Sequence, residues 1–399
     1  MAMTSLPMLR RSHDDANGVA LMTELQSLGA RWVSADGPGL SRAGGAGPSD
    51  HKALVLGGET LMVPIHTAAS AASPYAIRAS GQGRGVLERN GERIGDVSFP
   101  TPPRFYGETT AEGIPYWKIA QLHATDVLAT TVLQQCVRYI DRDTACQFCA
   151  IGQSLAAGRT IARKTPAQLV EVAEAAVRLD GVKHMVMTTG TPGTSDRGAR
   201  VLAEAAAAIT ARVDLPIQAQ CEPPDDDVWF ERMKGAGIVS LGMHLEAVTE
   251  PVRRKIMPGK AEVPVARYLA AFERAVAVFG RGQVSTYILG GLGDGRDDIL
   301  AISRVLVGLG VYPFVVPFVP ISGTPLEGHA PPAPAFMQDL LAGVAAIVRQ
   351  GGLSREALKA GCGRCGACST LKSHESAQAS RSPQTSPASL ASPAPQDAA

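Results

Sequence analysis

No stretch of this chain approaches the ~20 consecutive apolar residues that a helix needs to span a bilayer, although 45% of its 399 residues are hydrophobic. The chain also lacks an excess of charge. Its 38 Lys and Arg face 37 Asp and Glu, so it carries no basic field of the kind nucleic-acid binders show. No apolar segment follows Arg10 and Arg11, so residues 1–15 do not read as a secretory signal. These absences predict a cytoplasmic protein with neither membrane nor nucleic acid as partner. In that compartment disulfides are rare. The cysteines instead fall into two close triplets, Cys136, Cys146, Cys149 and Cys362, Cys365, Cys368, with Cys221 alone. Such grouping in a chain long enough to build a real core points to metal chemistry rather than to staples.

Three regions follow from pattern and composition. Residues 1–105 read as a mixed α+β region, with helical spacing through Leu21, Leu25 and Leu28 and a Gly/Ser/Pro-rich loop from Gly37 to Asp50. Two hairpins are expected there, across Gly57-Gly58 and across Asn90-Gly91, the latter dipeptide being a strong hairpin signal. Ser98 to Gly113 reads as a linker. Residues 106–371 alternate strand-like and helix-like segments. The expected strands are 127–133, 182–188, 216–221, 238–246, 284–289 and 314–319. The expected helices are 166–179, 196–212, 226–234, 265–279 and 297–309, with one more near 335–350. Thr165-Pro166-Ala167-Gln168 has the form of a capping box with Pro at the first helical position. Six βα units imply a parallel sheet with right-handed crossovers, closing as a partial (βα)6 barrel. Residues 372–399 are rich in Ser, Ala, Pro and Gln, with almost no apolar bulk to offset ordering entropy, and are expected to be disordered.

Cys136, Cys146 and Cys149 follow the first expected barrel strand, at the end where α/β barrels place their chemistry. Three thiolates on one loop can hold three irons of a [4Fe–4S] cluster and leave the fourth open. The ten-residue step from Cys136 to Cys146 must loop out, and the polar segment Arg138 to Thr144 suits a surface. Zinc or inert thiols are the alternatives, but zinc wants a fourth ligand, commonly His, and the loop holds none.

Cys146-Gln147-Phe148-Cys149, with an aromatic before the last cysteine, resembles the C-terminal half of the radical S-adenosylmethionine (SAM) signature. Members of that superfamily usually have three residues between their first two cysteines. Arg142 stands at that place here, and Cys136 supplies the missing thiolate. The resemblance runs from Val127 to Leu371. Thr188-Thr189-Gly190-Thr191-Pro192 occupies the place of the family's Gly-Gly-Glu segment at the SAM amino group, without its Glu. Tyr287 to Gly293, containing Gly290 and Gly291, looks like the glycine segment near adenine. Pro317 to Leu326 is similar to the sixth-strand segment of biotin-synthase-like members, in particular radical SAM proteins of bacterial nitrilase-containing gene clusters. The resemblance implies a [4Fe–4S] cluster on Cys136, Cys146 and Cys149. It also implies SAM bound near Phe148, reductive cleavage to a 5′-deoxyadenosyl radical, and hydrogen abstraction from a small-molecule substrate. An electron donor such as flavodoxin or ferredoxin is implied as well. An iron–sulfur electron-transfer protein on the same barrel is the alternative. A zinc-dependent barrel hydrolase would want His or Asp ligands at strand ends, and His184 and His244 are too few.

Alternation supplies a separate clue. On 238–246 one face carries Ser240, Gly242, His244 and Glu246, and on 216–222 one carries Gln218, Gln220 and Glu222. The opposite faces are apolar and include Cys221, so the polar faces are expected to look into the barrel. A polar lumen suggests a ligand chamber rather than a packed barrel interior. Glu222 and Glu246, at strand ends, are the expected contacts to SAM or substrate; the competing role is helix capping or pairing with Arg253 or Arg254. His244 is read as a hydrogen-bonded lumen residue as readily as an acid or base. Cys362, Cys365 and Cys368 lie in a Gly-rich C-x2-C-x2-C loop, for which a second iron–sulfur cluster is the leading reading. Zinc with a fourth ligand such as His374 is the rival.

Overall fold

The computed structural model describes residues 16–34, 50–81 and 83–381. The expected loop at Gly37 to Asp50 lies, except for Asp50, outside the described residues, as does most of the expected tail. Two sheets organise the chain. The first contains β1 (Arg31–Val33), β2 (His51–Leu56), β3 (Glu59–Pro64), β4 (Tyr75–Gly81), β5 (Arg84–Arg89) and β6 (Glu92–Ser98), in the order β1-β4-β5-β6-β2-β3. Both expected hairpins are present. Leu56 pairs with Glu59 and Arg89 with Glu92, leaving two-residue turns in which all four residues have positive φ. Gly57-Gly58 and Asn90-Gly91 tolerate that backbone region. Helix Ala16–Leu28 packs on this sheet through Val19, Met22 and Leu25.

The second sheet contains β7 (Gln121–His123), β8 (Val127–Thr131), β9 (His184–Thr188), β10 (Ile217–Gln220), β11 (Ile238–Gly242), β12 (Val284–Gly290) and β13 (Val311–Pro317), in sequence order. Strands β8 to β13 are all parallel; β7 adds an antiparallel edge that periodicity did not anticipate, because three residues carry no period. Helices Pro166–Asp180, Ala199–Thr210, Val228–Gly235, Val265–Phe279 and Arg296–Leu309 alternate with the strands. Thr165 and Gln168 form the reciprocal capping box, and an N-cap of this type contributes about 1 kcal/mol. The helix-facing side chains of the strands, Met185, Met187, Ile217, Ala219, Cys221, Leu241, Met243 and Leu245 among them, join one apolar core with the helices.

Two expectations are corrected. The chain does not lose order at Lys372: Leu371–Arg381 is helical, with Leu371, Lys372 and Ser373 buried. Composition misleads there because the stabilisation is tertiary. Lys372 reaches the Thr60 carbonyl (2.9 Å) and Glu59 (2.5 Å), and Tyr312 donates to Glu375 at 2.5 Å. The segment Ser98 to Gly113 is also more ordered than a linker, containing a 3-10 turn at Arg104–Gly107 whose first amides bond to Asp180.

Candidate active site

The cysteine loop leaves the C-terminal end of β8 and is pinned to the rim of the barrel. Val137 N–H donates to Thr191 O (2.9 Å), Gln147 N–H to Ile256 O (2.8 Å), and Leu326 N–H to Gln147 O (3.3 Å). Phe148 packs with Ile256, Leu292 and Phe318. Gly190 is required by closeness: a Cβ there would collide with the Gln135 carbonyl, one residue before Cys136, and with Ile151. The segment 188–192 therefore lies directly against the cysteine loop. Burial pushes the Cys149 thiol up to about 12 and Cys146 well above its ordinary value, with Glu246 adding to the latter. Thiols so placed ionise only when a cation takes up the charge.

Arg138 departs from its expected surface role. Its side chain is buried and forks onto Glu222, with Nε to Oε1 at 2.8 Å and Nη2 to Oε2 at 2.9 Å. Thr191 donates to the same carboxylate (2.9 Å), and Arg138 also donates to the Gly259 carbonyl. Burial alone would raise Glu222; hydrogen bonds from Arg138 and the charge of Lys260 hold it below the usual carboxylate value. The long step between Cys136 and Cys146 thus carries an anchor into the barrel. Glu246 pairs with Lys260 (2.7 Å). Its backbone sits at φ 64°, a region costly to a residue with a Cβ. Hydrogen bonds to Tyr287 O and from Leu289 N hold it there. Both carboxylates are therefore paired, though with Arg138 and Lys260 rather than Arg253 or Arg254. Arg253 caps the carbonyls of Leu245, Ala247, Lys260 and Val263, and Arg254 pairs with Glu250.

A cavity of about 290 Å³ runs through the lumen. Phe148 and Tyr287 line it, with Gln220, His244 and Glu246 from the expected polar faces, and so do Cys362, Cys365 and Cys368. The inward assignment of these side chains agrees with the geometry. His244 accepts from Tyr287 N–H at Nδ1 (3.2 Å), and burial, then Lys260, lowers it to about 3, so it is neutral with its proton on Nε2. Gly290 and Gly291 are also held by packing. A Cβ at Gly290 would meet Met337 and one at Gly291 would meet Pro332, so close packing is sufficient reason for both glycines.

The second triplet enters the lumen from the opposite end, which the sequence did not disclose. Gly361 N–H donates to His184 Nδ1 at the start of β9, and Cys362 N–H to Gln218 Oε1 (both 3.2 Å). Gln220 donates to Cys362 Sγ at 3.2 Å. The imidazole that approaches the triplet is His123 on β7, its Nε2 3.5 Å from Cys368 Sγ; His374 does not line the cavity. Burial pushes Cys365 up to about 12 and raises Cys362 and Cys368. Among the described residues no three Cys, His, Asp or Glu side chains converge as ligands of a single ion. A cubane asks for less convergence, because each thiolate takes its own iron.

Residues 143–306 match the model of the Radical SAM superfamily. The chain is 29% identical over 129 residues to a probable dual-specificity RNA methyltransferase RlmN of Moorella thermoacetica, covering 32% of this chain and 36% of that one. It is 33% identical over 121 residues to bacteriochlorophyllide c C-7(1)-hydroxylase of Chlorobaculum limnaeum, covering 30% of each. The chain thus spans about a third of the length of these curated relatives. Among solved structures, methylornithine synthase (PylB) aligns with a TM-score of 0.44 at 17% identity, over 56% of this chain and 62% of that one.

Proposed function

We propose that this chain is a radical SAM enzyme that binds a [4Fe–4S] cluster through Cys136, Cys146 and Cys149. The observation that carries this reading is the placement of three thiols on one loop that presses against Gly190 and, through Phe148, borders the lumen cavity, with Cys146 and Cys149 inside the segment 143–306 that matches the superfamily. When bound, the cluster and SAM supply reductive cleavage of the C5′–S bond and a 5′-deoxyadenosyl radical. The residues fit that pair: soft thiol donors for iron, and a hydroxyl- and amide-bearing rim at Thr188, Thr189 and Gly190 for the polar end of SAM. Glu246, which lines the cavity, is the carboxylate available to bound ligand. Glu222 instead holds the cysteine loop through Arg138. Within the superfamily we read the chain as biotin-synthase-like, resembling members from nitrilase-containing gene clusters, on the segment Pro317 to Leu326 and the C-terminal cysteines.

The anaerobically reconstituted, chemically reduced chain is expected to convert SAM to methionine and 5′-deoxyadenosine, measured by liquid chromatography. Intact cluster by iron and sulfide analysis with no 5′-deoxyadenosine would favour the electron-transfer reading. Because some relatives are named as RNA methyltransferases, balanced charge alone does not exclude RNA, and the small-molecule substrate rests on the size of the lumen.

We also propose a second iron–sulfur cluster on Cys362, Cys365 and Cys368, with His123 the adjacent imidazole. Reconstituted protein should then carry about eight irons, and replacing the three C-terminal cysteines by Ala should leave about four, the content of one cubane. Iron unchanged on that replacement, or zinc bound in its place, would sink the second cluster.

A further inference from the structure

A barrel whose upper rim carries the cysteine loop and whose lower end admits the second triplet needs another way in. The lateral opening beside β7 and β8 supplies one. A second cavity, about 490 Å³, lies between the first sheet and β7. It shares His51, Met62, His123 and Ala129 with the lumen cavity, so the two meet at a neck formed by these side chains.

The chemistry of this vestibule is one-sided. Lys52, Arg84 and Arg159 line it, and its described lining contains no Asp or Glu. Its aromatic side chains are Trp32, Phe99 and Tyr106. The Trp32 and Phe99 rings meet at a tilt of 56° with centroids 5.2 Å apart, and Lys52 Nζ sits 4.4 Å from the Trp32 centroid and 5.6 Å from that of Phe99. Trp32 Nε1 is buried with no hydrogen-bond partner among the described residues, as is His51 Nδ1 at the neck. A cationic aromatic shelf with two unspent polar atoms, leading into a chamber, selects a particular ligand. The volume falls within the range of small-molecule pockets, roughly 300–1,000 Å³, too little for a folded macromolecule.

We infer that the first sheet forms the substrate entrance of this enzyme, a lateral vestibule that receives a small organic carboxylate with a planar apolar body. This rests on the reading of the lumen as the reaction chamber. Cations and like-signed walls raise the local concentration of anions, while Trp32 and Phe99 offer a face for the planar part. The Met62 amide and Gln26 side chain both bond to Ala367 O (2.8 Å each), between Cys365 and Cys368. The wall of the vestibule is thereby fixed to the loop of the second triplet, and so to the floor of the chamber.

The test is binding without turnover, on the full reconstituted chain. Naphthalene-2-carboxylate and naphthalene-2-methylamine are titrated by calorimetry, and repeated with Arg84→Glu and Lys52→Glu. The carboxylate should bind and the amine should not. Each reversal should weaken the carboxylate by about tenfold or more, the loss of a charge-assisted contact. In a Trp117→Phe, Trp229→Phe background, its binding should quench the remaining emission of Trp32. Arg84 is exposed, so its reversal keeps the test open should Lys52→Glu fail to fold. No binding of the carboxylate, equal binding of the amine, or indifference to Arg84→Glu would overturn the proposal. A short single-stranded RNA binding in place of the carboxylate, and lost on the same reversals, would overturn it too. If SAM cleavage persists while the carboxylate fails to bind, the vestibule is wrong and the radical SAM reading stands.

Discussion

Cys149→Ala is expected to reduce 5′-deoxyadenosine formation to background, while Cys221→Ala leaves it near the parent level. Cys221 is buried and Cys149 partly so, yet desolvation pushes both thiols up to about 12. Chemistry intrinsic to a buried thiol would therefore not separate them. Position does. Cys149 sits on the loop beside Phe148, which opens onto the lumen, whereas Cys221 lies on the helix-facing side of the sheet with Ile217 and Ala219. On the proposed ligand set, losing one of three thiolates would leave the cluster with two protein anchors, and SAM cleavage would be lost with it. Removing Cys221 costs a small core volume, since free Cys behaves as a small hydrophobe. Loss of activity in both variants, with parent-like folding by circular dichroism, would sink the inward and outward assignment on which the site rests.

The second large effect concerns the Arg138–Glu222 pair. Glu222→Ala should destabilise the protein by about 3–5 kcal/mol in urea unfolding, because it removes the buried, two-pronged carboxylate partner of a buried guanidinium and leaves only the exposed Glu262, 3.5 Å away. The double variant Arg138→Met, Glu222→Met should recover a large part of that loss, since apolar replacement of both partners removes the desolvation cost together with the attraction. A double variant as unstable as the single would show that the pair acts otherwise. The same pair sets a pH dependence. Glu222 has its folded value below the ordinary 4.5. Its unfolded form therefore binds more protons in the window between the two values, so stability rises with pH there. The contribution is complete above about pH 4.5 and is lost as the pH falls through the folded value. In Glu222→Ala this acid-side loss should shrink. Because Arg138 anchors the segment between Cys136 and Cys146 to Glu222, reconstituted iron should fall in Glu222→Ala and return in part in the double variant.

These outcomes follow from side chains that the sequence placed on the right face but did not pair. Period-two alternation was enough to send Gln220, Glu222, His244 and Glu246 inward, because parallel strands of a barrel must put one face on helices and the other on the lumen. It was not enough to name their partners. Arg138 lies 84 residues from Glu222 in sequence and stands among polar neighbours, so it read as a surface residue. Gly290 and Gly291 carried a resemblance to an adenine-contacting segment, yet close approach of Met337 and Pro332 already requires both glycines. His123 escaped notice because it sits on a three-residue strand with no motif around it.

By itself, then, the sequence determined the alternation of strands and helices, both two-residue hairpins, the capping box at Thr165 and the two cysteine triplets. All of these depend on neighbours a few residues apart, where spacing and backbone preference act directly. Tertiary structure alone decided that the second triplet enters the same lumen that the first one overlooks. It also decided that Arg138 turns inward, that Leu371–Arg381 is helical, and that the first sheet walls a lateral passage. Each of those is a contact between distant segments, whose free energy comes from burial and charge pairing that no local pattern encodes.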